Sequence, residues 1–314
     1  MSITITGGIS FSGGVGIVAP PAGVKAIFGY GYKPSAPNYV SMTNLVSNTG
    51  VVATDTAGVG TARGQLAAAT YGTDKAIFGY GNTGIDPYNT AITNLVSNTG
   101  VVATDTTGVG TARNGIAAAG YGTDKAIFGY GYASPSYRSM TNLVSNTGVV
   151  ATDTTGVGTA RSEPAATGYS TDKAIFGYGD GGSPVSITNL VSNTGVVASD
   201  TTGVGTVRYA LGAARYGSTG QAIFGYGNNT SVPSLQSITN LVSNTGVVAT
   251  DTTGVGTARY GLASSNYGTD KAIFGYGASP FTSITNLVSN TGVVASDTTG
   301  VGTSRYGLAA ASYG

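Results

Sequence analysis

Residues 271–277 read KAIFGYG, and residues 283–314 read SITNLVSNTGVVASDTTGVGTSRYGLAAASYG. The opening heptapeptide recurs at Lys25, Lys75, Lys125, Lys173, Gln221 (as QAIFGYG) and Lys271, at spacings of 50, 50, 48, 48 and 50 residues. A fixed period in this range signals a repeat architecture, in which each unit buries its apolar surface against its neighbours. The chain therefore divides into an N-terminal Gly-rich segment, residues 1–24, and a repeat body, residues 25–314, with units beginning at 25, 75, 125, 173, 221 and 271.

The residue supply favours strands. Glu163 is the only Glu, whereas Val, Ile, Thr, Tyr and Phe carry the apolar content, and 52 of 314 residues are Gly. Four strand-like pieces fall in each unit. AIFGYG is followed by a variable insert, then ITNLVSN, an Asn-Thr-Gly turn signal, VVATDT, the punctuation Thr-Gly-Val-Gly, and the Ala-rich RYGLAAASY. Four short strands in about 50 residues is the blade pattern of a β-propeller.

The two ends of the repeat body complement each other. The first unit lacks an Ala-rich piece before Lys25, and the last ends on one, Arg305 to Gly314. The expected fold is all-β: a six-bladed β-propeller with four antiparallel strands per blade, closed by pairing the C-terminal strand with the N-terminal blade. Closure would remove exposed sheet edges. The triplets Ala67-Ala68-Ala69, Ala117-Ala118-Ala119 and Ala309-Ala310-Ala311 suit the crowded inner position, where only small side chains pack.

An Arg ahead of the first strand, an aliphatic-aromatic second strand ending in glycines, and then a variable loop resemble a kelch-type blade. Here Gly-Tyr-Gly replaces the usual Gly-Gly, and no Trp follows the third strand. The KAIFGYG and SNTGVVATDTTGVGTAR wording is also similar to repeat proteins predicted in tailed bacteriophages, and ITITGGISFSGG looks like the termini of phage structural proteins. The resemblance implies a virion location for a chain that would otherwise be soluble.

Composition narrows the chemistry. The chain has no His and no Cys, so the usual base near neutral pH, the commonest metal ligand, the thiol nucleophile and any disulfide framework are missing. The net charge is +1 with signs interspersed, which leaves no basic stripe for nucleic acid. No stretch reaches the roughly 18 apolar residues of a membrane span. Once per unit come an Asp (Asp55, Asp105, Asp153, Asp200, Asp251, Asp297) and an Arg (Arg63, Arg113, Arg161, Arg208, Arg259, Arg305). Groups repeated around a ring read as scaffold that caps turns or pairs between blades; calcium sites are the alternative, with a thin ligand set. The expectation is no catalytic residues, no cofactor and no metal. Glu163 reads as a water-facing residue, or alternatively as a catalytic acid with Asp180 or Asp86, the pair a glycan-active enzyme would need.

The contrast between near-identical scaffold and varied insert carries the functional expectation. The inserts read YKPSAPNYVSM, NTGIDPYNTAI, YASPSYRSM, DGGSPVSI, NNTSVPSLQSI and ASPFTSI, and a second varied position follows the repeat Arg (Gly64, Asn114, Ser162, Tyr209, Tyr260, Tyr306). In an up-down blade both lie on one side. Tyr, Ser, Asn and Pro on a rigid frame make an adaptable contact surface, with drift in unconstrained loops as the alternative. The expected function is a non-enzymatic recognition or structural module that binds a host-surface glycan or another virion protein, or else a purely structural assembly part. The candidate contact residues are Tyr39, Tyr88, Tyr137, Arg138, Tyr209 and Tyr260. Residues 1–24 are read either as a surface tail or as an attachment and self-association segment.

Overall fold

The computed structural model describes residues 24–230 and 234–314. Apart from Val24, the N-terminal segment, with its expected role as surface tail or as attachment and self-association segment, lies outside the described residues. The described chain is all-β and holds six three-stranded antiparallel sheets, together with a small pair formed by Tyr132–Ala133 and Ser136–Tyr137. No sheet closes on itself.

The six sheets share one plan. The Ala-rich pieces give the first strands: Ala67–Tyr71, Ala117–Tyr121, Ala165–Tyr169, Gly212–Tyr216, Ala263–Tyr267 and Ala309–Tyr313. The KAIFG pieces give the middle strands: Lys25–Tyr32, Lys75–Asn82, Lys125–Gly129, Lys173–Gly177, Gln221–Gly225 and Lys271–Gly277. The third strands are Tyr39–Val46, Asn89–Val96, Thr141–Val144, Thr188–Val191, Thr239–Val242 and Thr282–Val288. In the sheet built on Lys25–Tyr32 the first strand comes from the other end of the chain, with Tyr313 opposite Lys25, Ala311 opposite Ile27 and Ala309 opposite Gly29. The C-terminal strand thus pairs with the first repeat, as the complementary ends imply.

The fourth piece departs from the expectation of a regular strand. VVATDT runs beside the third strand but pairs with it only at isolated points, Val52 with Val46 and Thr56 with Thr43, and the same two contacts recur in every repeat. The cause is a side chain in the ladder. Asn44 Nδ2 donates to the Ala53 carbonyl (3.0 Å) and to Asp55 Oδ1 (2.9 Å), so an amide takes the place of continuous backbone pairing.

The middle strands read as unbroken apolar runs because neighbouring sheets cover both their faces. Ala26, Ile27, Phe28 and Tyr30 are fully buried, as are their counterparts in each repeat. Every core cluster joins two successive sheets. Ile27, Tyr30 and Ala311 pack with Ala76, Phe78 and Val96, while Ala26, Phe28 and Val46 pack with Tyr267, Ile273 and Tyr276. The first strands touch in chain order from Ala67–Tyr71 to Ala309–Tyr313, and the last touches the first.

Glycine at the third position of IFGYG is a packing requirement. A Cβ built on Gly29 would stand 2.7 Å from Phe78 Cζ, and Gly275 would meet Phe28 the same way, so each Phe ring occupies the space a side chain would fill on the preceding sheet. The following Tyr (Tyr30, Tyr80, Tyr130, Tyr178, Tyr226, Tyr276) adopts a φ of 63° to 66°, a left-handed conformation rare for a bulky residue. It ends the regular pairing, with a register shift between Gly29 and Gly31, and turns the ring under a neighbouring Arg.

Two rings of backbone hydrogen bonds link the repeats end to end. On the insert side, the residue two after each repeat Arg donates to its counterpart in the preceding repeat: Gln65 to Gly307, Gly115 to Gln65, Glu163 to Gly115, Ala210 to Glu163, Gly261 to Ala210 and Gly307 to Gly261, at 2.6–3.0 Å. On the opposite side a second set runs from Gly72 to Asp124, Gly122 to Asp172, Ser170 to Gly220, Gly217 to Asp270, Gly268 to Val24 and Gly314 to Asp74.

Candidate binding face

The frame that holds the inserts is built from the repeated polar residues. All six repeat arginines are fully buried. Arg63 Nε donates to the Tyr80 carbonyl (2.8 Å), Nη1 to the Thr61 carbonyl (2.9 Å) and Nη2 to Asn94 Oδ1 (2.7 Å), while its guanidinium lies 4.3 Å from the Tyr30 ring centroid of the preceding sheet. The stacking recurs in all six repeats at 4.2–4.6 Å. Arg208 departs from the pattern in one respect, for its Nε has no partner, and nothing in the structure explains this.

The repeated Asp completes the frame. Asp105 accepts from the Thr61 amide (3.0 Å), the Thr61 hydroxyl (2.7 Å) and Asn94 Nδ2 (2.8 Å), tying the connector to the sheet it enters. Partial desolvation pushes this carboxyl up, and the Thr and Asn hydrogen bonds together outweigh it, leaving its pKa below the ordinary value. The scaffold reading of Asp and Arg therefore accounts for both. Among the described residues no group of three or more acidic side chains could hold a metal ion.

The varied residues share one side of the molecule. The residue after each repeat Arg forms a backbone bridge with the residue after FGYG: Tyr306 with Tyr32, Gly64 with Asn82, Asn114 with Tyr132, Ser162 with Asp180, Tyr209 with Asn228 and Tyr260 with Ala278. Inserts and second varied positions are thus neighbours.

Five aromatic rings gather where the fifth, sixth and first repeats meet. Tyr32 stands 5.2 Å from Tyr39 and 5.5 Å from Tyr306, and Tyr306 lies 5.4 Å from Phe281 and 5.8 Å from Tyr260. The rings are half-buried and mostly edge-on, a geometry that favours aromatic pairs. Tyr39 also lies against Gly64 and Gly84, so the first insert leans on the second repeat.

Of the six candidate contact residues, Tyr39 and Tyr260 fall in this cluster. Tyr209 is half-buried and accepts from Asn228 Nδ2 (3.0 Å). Tyr137 packs 5.5 Å from Tyr132, with its hydroxyl 3.5 Å from Asp180 Oδ2. Arg138 folds back toward the Ala133 carbonyl (3.4 Å) with its Nε lacking a partner, and Tyr88 stands apart at 60% exposure. Sequence reasoning left Tyr32, Tyr306 and Phe281 out of the candidates, although Tyr306 occupies the same varied position as Tyr209 and Tyr260.

Glu163 does not face open water as expected. It belongs to the insert-side hydrogen-bonded ring, half-buried, with a left-handed φ of 51°. Gln65 Nε2 donates to its Oε1 at 2.8 Å. Desolvation pushes its carboxyl above the ordinary range, the Gln65 bond lowers it, and the charge of Asp180 raises it further. Glu163 and Gln65 edge a depression of about 80 Å³ whose apolar wall includes Leu66, Ile116, Pro164, Leu211, Leu262 and Leu308. Glu163 also bears on the phenols of Tyr209 and Tyr306: desolvation raises both pKa values, and the carboxylate charge adds to it. The face thus combines an aromatic shelf, an amide and a carboxyl around one shallow centre. Asp86 belongs to an exposed insert.

Among the described residues no helix is long and apolar enough to cross a membrane. The chain matches no protein-family model and no curated protein sequence.

Proposed function

We propose that the repeat body, residues 25–314, is a six-bladed β-propeller that acts as a recognition module, binding glycan on its insert-bearing face. The cyclic contact of the first strands and the two rings of inter-repeat hydrogen bonds support the propeller reading. The observation that carries the binding reading is the five-ring aromatic shelf beside the Glu163–Gln65 pair. Rings present flat apolar surface to a sugar while the carboxyl and amide take its hydroxyls, the mix of apolar area and few polar groups that ligand sites use. The wording of the repeats points to a tailed-phage particle as the setting, with a host-surface glycan as the ligand. Another virion protein is the alternative partner for the same face, and residues 1–24 would supply attachment.

The test is a glycan array probed with the wild-type chain, with a version carrying short Gly-Ser loops for all six inserts, and with the double variant Tyr39→Ala, Tyr306→Ala. The double variant should bind at least about ten-fold more weakly, as loss of two contact aromatics commonly does. Equal binding by all three proteins refutes the assignment of the face. A second reading, a glycan-active enzyme, is favoured by one observation, the raised Glu163 carboxyl beside Asp180. Release of reducing ends by the wild type, abolished in Glu163→Gln, would select it.

A further inference from the structure

The side opposite the inserts holds a cationic mouth that the binding reading leaves unused. At the fourth position of the six first strands stand Thr70, Gly120, Gly168, Arg215, Asn266 and Ser312. Three of them satisfy each other, with the Thr70 and Ser312 hydroxyls 2.8 Å apart and Ser312 Oγ donating to Asn266 Oδ1 (3.1 Å). The two glycines leave space, and Arg215 lines that space. The resulting mouth, about 220 Å³, is rimmed by Lys125 and Lys173.

Arg215 is unlike the six repeat arginines. It is half-buried and, among the described residues, its side chain has no hydrogen bond, ion pair or ring contact. Nor can the undescribed stretches supply a counter-charge, because residues 1–23 and 231–233 contain no Asp or Glu. All 13 acidic side chains lie in described parts of the chain, and none forms an ion pair with Arg215. Lys173 likewise has no ion-pair partner among them, whereas Lys125 keeps Asp124 at 3.4 Å. The Nδ2 of Asn266 is a further donor with no acceptor among the described residues. A partly desolvated cation without a counter-charge opposes folding, and desolvation alone depresses its pKa. Donors without acceptors around a small open space make a receptor for an anion with several oxygens, to which a guanidinium offers paired N–H groups.

We propose that the mouth around Arg215 is an oxyanion site that takes a phosphate or sulfate group, held by Arg215 with Lys173 at the rim and the Asn266 amide beside it. The group is either a free ion or one carried by a polyanionic polymer. Occupation neutralises a half-buried arginine whose side chain has no hydrogen bond, ion pair or ring contact among the described residues, and binding weakens as salt screens the charges.

The repeats themselves supply substitutions that the fold accepts. Arg215→Thr installs the residue found at Thr70, and Lys173→Gln the residue found at Gln221. Isothermal titration calorimetry would compare sodium phosphate, sodium sulfate and a sulfated polysaccharide, each at matched ionic strength, with the three proteins. Wild type should bind at least one of these ligands, Arg215→Thr at least about ten-fold more weakly, and Lys173→Gln at an intermediate level. Binding of the simple ions identifies a free-ion site, and binding of the polymer alone a polymer site; each sustains the proposal only if Arg215→Thr weakens it by at least about ten-fold. Failure of wild type to bind any of the three, or equal binding by wild type and Arg215→Thr, overturns it. If circular dichroism shows Arg215→Thr unfolded, Lys173→Gln decides, and unchanged affinity there counts against the site. Glycan binding on the insert side should be the same in all three proteins, which keeps the two sites distinguishable.

Discussion

Raising the pH should unfold this protein through its six buried repeat tyrosines. Tyr30, Tyr80, Tyr130, Tyr178, Tyr226 and Tyr276 are fully buried, and desolvation pushes each phenol up from 10.0 to about 12 against the lowering effect of the arginine stacked on it. The sign follows from linkage. A folded pKa above the unfolded one leaves stability intact below pH 10 and removes it progressively as the pH rises to about 12. Two pH units correspond to about 3 kcal/mol per ring, so six rings withdraw on the order of 10–20 kcal/mol, as much as the whole stability of an ordinary domain. The assay is an alkaline titration followed by far-ultraviolet circular dichroism and by phenolate absorbance on the same samples. The expected result is one cooperative loss of β signal between pH 10 and about 12, coincident with the late ionisation of six of the 20 tyrosines. If those six ionised with no rise above 10.0 while the β signal persisted, the rings would not be desolvated and the reasoning would fail.

Four further outcomes test other parts of the structure. Gly129→Ala places a Cβ 2.8 Å from Phe176 Cζ in a filled contact and should cost about 1–3 kcal/mol in urea unfolding. Asp105→Ala strips acceptors from Thr61 and Asn94 and should cost about 1–2 kcal/mol at neutral pH. Because the Asp105 pKa is lowered in the fold, its contribution disappears as the pH falls through that value, so wild type and variant should converge in acid-unfolding curves. Glu163→Gln keeps the bond to Gln65 and removes a carboxylate whose raised pKa opposes folding as the pH rises. It should melt higher than wild type at neutral pH and match it in acid, as read by differential scanning calorimetry. Removing residues 309–314 takes away the first strand of the sheet built on Lys25–Tyr32, and the truncated chain should lose cooperative melting and associate through the bared edge, as followed by light scattering.

Much of this architecture can be read from the repeat itself. The strand positions, the Ala-rich first strands and the partnership of the two chain ends all follow from period, residue size and the missing first piece. The clustering of varied residues on one side follows from the up-down order. What stays hidden depends on single side chains. VVATDT looks like a strand by composition, but Asn44 and its counterparts enter the ladder, and neither propensity nor alternation registers an amide taking a backbone role. The repeat arginines read as scaffold, but their complete burial against a Tyr ring, an Asn and, in all but Arg208, two carbonyls is not visible in the sequence. The aromatic shelf depends on which insert leans on which neighbour, so Tyr39 and Tyr260 meet through Tyr32 and Tyr306 while Tyr88 stays alone. Glu163 meets Gln65 through a ring of residues that share a left-handed φ of 51° to 62°, and nothing in SEPAA announces that conformation.

The seam between Ala309–Tyr313 and Lys25–Tyr32 uses the same register as the other five, with Tyr313 opposite Lys25 as Tyr71 is opposite Lys75. A strand from another copy would meet those same contacts, so the contacts cannot tell self from neighbour. Intramolecular pairing wins only through tethering, which supplies an effective concentration on the order of millimolar for a flexible linkage. Crowding at a comparable density, as in an ordered array, would place exchange and closure on equal terms. Two copies that traded C-terminal strands would pair every strand at the register the single chain already uses.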